Sequence, residues 1–258
     1  MALDIDLHNA ISNIEKFIND IVKTTNTQGV IIGLSGGIDS SITAKLAVNA
    51  LGSKNVFGLI LPDSRITPSI DVADAYDIAT ELKIEIKEID ICNIHKSFMT
   101  ILPENNFAEG NLRARIRMCI LYHYANIQNK LVIGTGDKSE LLIGYFTKYG
   151  DGGVDFLPIG ELYKTDVRKI AEILNIPSSI ITKKSSPQLW ENHEAEQEIG
   201  WTYDEIDSVF KLLFDQKESI NAISNILNIE QERIKELLNK YNVTAHKRKL
   251  PETIVNDD

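Results

Sequence analysis

The chain has 258 residues, 43% hydrophobic and 25% charged, with a formal net charge of −10 at pH 7. That is ample for one large globular unit, and the acidic balance argues against a protein that grips nucleic acid through its phosphates, because such proteins carry a basic surplus or stripe. No apolar run approaches the roughly 20 residues of a bilayer span, and the first residues lack the basic patch and apolar block of a secretory signal. The expectation is a cytoplasmic protein that binds neither nucleic acid nor membrane. Cys92 and Cys119 form no CxxC pair and no disulfide framework, so both read as small buried hydrophobes.

From Asp6 to Thr25, Ile11, Ile14, Phe17, Ile18, Ile21 and Val22 recur at helical spacing and predict an amphipathic helix. Val30-Ile31-Ile32-Gly33-Leu34 is a short β-branched run before a glycine-rich turn, which reads as a buried parallel strand. A helix from Ser40 to Leu51 stops at Gly52. A second strand covers Asn55 to Leu61, a helix Ile70 to Leu82, and a third strand Ile84 to Ile89. A long helix runs from Asn111 to Gln128, and a fourth strand spans Leu131 to Thr135. Strand and helix alternating in this way predict a Rossmann-like α/β fold: a parallel sheet with helices on both faces and a ligand beyond the carboxyl ends of its strands.

Further on, Gly150 to Gly153 reads as a loop and Thr165 to Leu174 as a helix with Thr165 as its N-cap. Lys183 to Gly200 is polar and aperiodic and reads as a mobile loop. Helical pattern returns from Tyr203 to about Tyr241. The expected organisation is one unit over 1–258: a helix at 6–25, an α/β core at about 29–180, the loop at about 183–200 and a helical C-terminal part at 201–258.

The most informative stretch is Gly33-Leu34-Ser35-Gly36-Gly37-Ile38-Asp39-Ser40-Ser41, which ends a strand and opens a helix. Glycines permit positive φ and close approach of backbone N–H groups to an anion, and the helix N-terminus adds positive partial charge. Ser35, Ser40 and Ser41 supply hydroxyl donors, so the stretch reads as a phosphate or pyrophosphate cradle. It lacks the Gly-Lys-Ser/Thr of a Walker A loop, and Ser35 stands where a dinucleotide fingerprint needs glycine. Asp39 would repel phosphate unless a divalent cation lay between them, which makes it a candidate Mg²⁺ ligand.

Ser-Gly-Gly-x-Asp-Ser after a strand resembles the PP-loop of the N-type ATP pyrophosphatases. Further along stand Gly134-Thr135-Gly136-Asp137-Lys138-Ser139-Glu140, then Gly144 to Asp155 (Gly-Tyr-Phe-Thr-Lys-Tyr-Gly-Asp-Gly-Gly-Val-Asp), then Leu157 to Lys164, and finally Thr244-Ala245-His246-Lys247-Arg248. Together, and in this order, they resemble the ammonia-dependent NAD synthetases. The resemblance implies an adenine nucleotide alpha hydrolase-like fold and a homodimer with its substrate site near the interface. The implied reaction is amidation of deamido-NAD by ammonia with ATP and Mg²⁺, through an adenylate, to give NAD, AMP and pyrophosphate.

The resemblance also implies particular roles. Gly33, Leu34, Ser35, Gly36, Gly37, Ile38, Asp39 and Ser40 would hold the ATP phosphates, with Thr135, Lys164 and Ser186 as further ATP contacts. Asp39 and Glu140 would bind Mg²⁺ and, with Lys164, form the catalytic set. Arg115, Lys148, Asp155, His246 and Lys247 would contact deamido-NAD. Arg115 shares its helix with Arg113 and Arg117, so part of that charge run is expected on a solvated face.

Overall fold

The computed structural model describes residues 6–186, 189–190 and 193–254. Helix α1 (Leu7–Thr24) is capped by the Asp6 carboxylate and leads into β1 (Val30–Gly33), α2 (Ile38–Leu51) and β2 (Val56–Ile60). Next come α3 (Ser69–Leu82), β3 (Glu85–Glu88), α4 (Cys92–Met99), α5 (Asn106–Gln128) and β4 (Leu131–Val132). Helices α6 (Lys138–Ile143), α7 (Lys164–Ile173), α8 (Ser178–Ile181) and α9 (Ala195–Ile199) follow. The described chain closes with α10 (Tyr203–Phe210), a π turn over Lys211–Asp215, α11 (Ile220–Leu227), α12 (Gln231–Val243) and a 3-10 turn over Ala245–Lys247.

The four strands lie in the order β3-β2-β1-β4 and all pairings are parallel. Strand order therefore reverses at β1, and the crevice beyond its carboxyl end, between β1 and β4, is the topological switch point where α/β sheets bind ligands. Side chains alternate between two layers. Val30, Ile32, Val56 and Ile60 pack with α1, α2, α3 and α7, whereas Ile31, Phe57 and Leu59 pack with α5. A third cluster joins Ile143 and Tyr163 to Tyr203, Ile206, Phe210, Ile223, Ile234 and Leu237, so the C-terminal helices have a core of their own, seated on α6 and the start of α7.

Several elements differ from expectation. Helix α2 begins two residues earlier than the sequence pattern predicts, because Gly37 is extended and acts as its N-cap. The Ser40 and Ser41 hydroxyls donate back to the Gly37 carbonyl at 3.0 and 2.8 Å. Helix α5 starts at Asn106, capped by Asn105, and α4 was not anticipated. Strand β4 has only two residues. Its outer edge is taken by the Asp155–Phe156 segment, where Asp155 N bonds Val132 O at 2.9 Å and Gly134 N bonds Phe156 O at 2.9 Å. Of the expected loop at 183–200, residues 187–188 and 191–192 lie outside the described residues; among the described ones α9 is helical and His193 is buried. Cys92 is buried as expected, but Cys119 is exposed on α5.

Candidate active site

At the β1 tip, Gly36 adopts φ +73, and a Cβ there would lie 2.1 Å from the Asp71 carbonyl oxygen. Only glycine fits so close to the first turn of α3 in that conformation. Ser40 Oγ ties the turn together: it lies 3.3 Å from the Ser35 amide and 3.1 Å from the Ser35 hydroxyl. The serine hydroxyls thus brace the loop, leaving the α2 N-terminus to face the crevice.

Across the switch point, β4 ends and α6 begins with a capping box. The Asp137 carboxylate accepts from Glu140 N at 2.8 Å, and Glu140 accepts from Asp137 N at 3.4 Å. The same two carboxylates turn toward Asp39, and one oxygen from each of Asp39, Asp137 and Glu140 lies within 4.8 Å of the others. Lys164 fills the space between them. It is fully buried, with Nζ 2.9 Å from Asp39, 2.6 Å from Asp137 and 3.0 Å from Glu140. Its ammonium also lies 5.0 Å from the Tyr203 ring centroid.

The electrostatics follow from that crowding. Burial raises Asp137 to about 6, with the charge of Lys164 opposing and that of Asp39 adding to the rise. Burial and the neighbouring Asp137 push Glu140 well above the usual carboxylate range. Burial alone would lower Lys164, but Asp137, Asp39 and Glu140 together lift it well above its ordinary value. These shifts show that the ammonium alone does not balance the three carboxylates, and a divalent cation among them would favour their ionised forms. Oxygen-only donors suit a hard divalent cation.

Lys164 is held by its backbone as well as by its charge. Thr165 is not the N-cap of α7; the helix starts one residue earlier, and Tyr163 in the cap position makes no side-chain bond. Other elements satisfy the first N–H groups: Lys164 N bonds Ser139 Oγ at 2.9 Å and Thr165 N bonds Asp207 Oδ2 at 2.8 Å. Asp207, on α10, also receives the Ser139 hydroxyl. Sequence reasoning missed both Asp137 and Asp207. The Asp-x-x-Glu spacing at 137–140 was a readable capping signal, whereas nothing local marks Asp207.

The remaining expected residues fall into separate places. Thr135 lies half-buried just past β4, and Ser186 is exposed beyond α8. Lys148 Nζ donates to His246 O at 2.8 Å, and Arg115 donates to Lys148 O at 3.3 Å. Lys247 binds the Gly144 and Phe146 carbonyls at 2.7 and 2.8 Å. The structure therefore gathers Arg115, Lys148, His246 and Lys247. Asp155 is engaged elsewhere: its carboxylate takes Val132 N at 2.7 Å and the Tyr122 hydroxyl at 3.1 Å. In the arginine run, Arg115 is the exposed member, while Arg113 is buried on Asp63 and Arg117 holds Leu61 O at 2.8 Å.

A glycine turn at a switch point, opposed by a carboxylate trio suited to a divalent cation, defines a nucleotide-binding α/β enzyme of the PP-loop type. The NAD synthase family model matches residues 10–251. The chain is 47% identical, over 96% of its length and 91% of that protein, to the NH(3)-dependent NAD(+) synthetase of Hyperthermus butylicus. Among solved structures it resembles the NMN synthetase of Francisella tularensis (TM-score 0.85, 33% identity, covering 97% of this chain and 99% of that one). It also resembles the NH3-dependent NAD synthetase of Campylobacter jejuni (TM-score 0.82, 34% identity, covering 97% of this chain and 100% of that one). The chain belongs to the NAD synthase family. Among the described residues no helix is long and apolar enough to cross a membrane.

Proposed function

We propose that the chain is an ammonia-dependent NAD synthetase: it uses ATP to join ammonia to the nicotinate carboxylate of deamido-NAD, giving NAD, AMP and pyrophosphate. A nicotinate carboxylate oxygen attacks the α-phosphorus of ATP, the bond to the bridging oxygen breaks, and pyrophosphate leaves with its electron pair. Ammonia then adds to the acyl carbon, AMP departs with the carbon–oxygen bonding pair, and one nitrogen proton is lost. No side-chain nucleophile is needed, so the protein's work is positioning and electrostatics.

The observation that carries this reading is the meeting of Asp39, Asp137, Glu140 and Lys164 opposite the phosphate loop. Asp39, Asp137 and Glu140 would hold Mg²⁺, which when bound offsets charge on the triphosphate and on departing pyrophosphate. The loop from Gly33 to Ser40 aligns the phosphates, with Thr135 and Ser186 flanking, and Lys164 offers a fixed positive charge. Arg115, Lys148 and Lys247 line a positively charged wall, completed by His246, that suits the dinucleotide's own phosphates, and Asp155, held by Val132 and Tyr122 at the sheet edge, would contact the same substrate. The whole chain acts as one catalytic unit, which we place in the cytoplasm. Exposed Phe98, Ile101, Leu102 and Phe107 on and between α4 and α5 support a homodimer.

The test is pyrophosphate and NAD formation on mixing protein, ATP, Mg²⁺, deamido-NAD and ammonia. Product that depends on every component is expected, and no product with deamido-NAD overturns the reading. The likeness to a protein called an NMN synthetase makes the mononucleotide acid the control substrate, and the expected order of turnover is deamido-NAD first.

A further inference from the structure

Lys183 lies just past α8, outside every residue set assigned above, yet its ammonium reaches the centre of the phosphate loop. It donates to the Gly36 carbonyl at 3.1 Å, to Asp71 at 2.6 Å, and to Asp74. Asp71 and Asp74 are both buried on α3, and the Asp71 carbonyl is the atom against which Gly36 is pressed. Two buried carboxylates beside a loop that must admit a polyanion would repel it unless a cation compensated them. Burial alone would lower Lys183, but its bonds to Asp71 and Asp74 raise it above its ordinary value, so it stays charged.

The contact with Gly36 also has a directional effect. Across a planar trans peptide the C=O and the next N–H point in opposite directions. Anchoring the Gly36 oxygen toward Lys183 therefore fixes the N–H of Gly37, the residue that caps α2. That amide donates to Ser35 Oγ at 3.3 Å, so the anchored peptide also holds the Ser35 side chain of the loop.

We propose that Lys183 is a positioning residue for ATP: it cancels the charge of Asp71 and Asp74 beside the phosphate loop and sets the Gly36–Gly37 peptide for phosphate binding. This rests on the reading of that loop as the ATP site. Its place beside the phosphate loop ties Lys183 to the adenylation half of the reaction.

The test compares Lys183→Met, Lys183→Gln and Lys183→Arg with wild type, by ATP Kd from equilibrium titration, by KM for ATP and for ammonia, and by thermal melting. Lys183→Met is expected to weaken ATP about tenfold in both Kd and KM, the scale of one lost charged hydrogen bond, with KM for ammonia unchanged. Lys183→Arg, which keeps the charge, should recover most of the loss, and Lys183→Gln should lie between. ATP Kd within twofold of wild type in a folded Met or Gln variant overturns the proposal. So does an equal rise in KM for ATP and ammonia, the signature of a merely structural role. If Lys183→Met does not fold, the Gln and Arg variants carry the same comparison. Wild-type protein that binds ATP but makes no NAD would refute the reaction and leave the binding comparison to decide on Lys183.

Discussion

Lys164 places its ammonium 2.9 Å from each carboxylate oxygen of Asp39, a residue 125 positions earlier in the chain. One comes from the α2 N-terminus and the other from the start of α7, and they meet only because the sheet brings both helix starts to the same crevice. The ammonium holds the carboxylates together in the way a divalent cation would.

Lys164→Met tests that relationship. Removing one partner from a buried ionic cluster costs about 3–5 kcal/mol, because the remaining charges stay buried and uncompensated. The variant should melt at a lower temperature than wild type, and Mg²⁺ should raise its melting temperature by more than it raises that of wild type. Equal shifts with and without the lysine would show that the carboxylates do not share a cation site.

Asp137→Asn retains the oxygen that caps Glu140 N but removes a charge from the trio. The expected result is a fold unchanged by circular dichroism and a rate of NAD formation lower by about 10²–10³, the scale of losing one preorganised electrostatic contact. Turnover near wild type would leave Asp137 as a helix cap alone.

Arg115→Ala removes an exposed cation from the wall that includes Lys148 and His246. KM for deamido-NAD should rise about tenfold while KM for ATP stays the same. A rise confined to ATP would move Arg115 to the other substrate.

Asp63 carries the pH prediction. Burial alone would raise its carboxyl, but bonds from Arg65 and Arg113 hold it well below its ordinary value of 3.8. A group that titrates lower folded than unfolded contributes stability that is full above 3.8 and is lost as pH falls through the folded value. Asp63→Asn should therefore cost about 3 kcal/mol at pH 7, and the gap from wild type should narrow as unfolding is measured in progressively more acidic buffer. A gap that stays constant with pH would exclude the ion pairs as its source.

The parallel sheet, its helices and the phosphate loop were legible because β-branched runs, helical spacing and glycines are local signals. Asp39 was legible as a candidate from the loop itself, whereas Glu140 and Lys164 were named only through the family resemblance; the fold brings the three together. Asp207 was not legible: it caps α7 from another helix, and its partners Ser139 and Thr165 are far from it in sequence. Thr165 looked like the N-cap for the same reason, since a cap supplied by tertiary contact leaves no trace in the residues before a helix. The two-residue β4 read as a longer strand because its apolar run continues after the pairing has passed to Phe156. No local pattern singles out Asp71, Asp74 or Lys183, and only the fold sets them against Gly36.

The seating of α10 on the start of α7 has a consequence during synthesis. Tyr203 covers the Lys164 ammonium and Asp207 anchors the backbone that carries it, yet both residues leave the ribosome after every strand of the sheet. A nascent chain emerging only as far as α9 has its phosphate loop and all three carboxylates but lacks the support that keeps the lysine among them. Competence for ATP chemistry thus arrives late in translation, after the platform it acts on has taken shape.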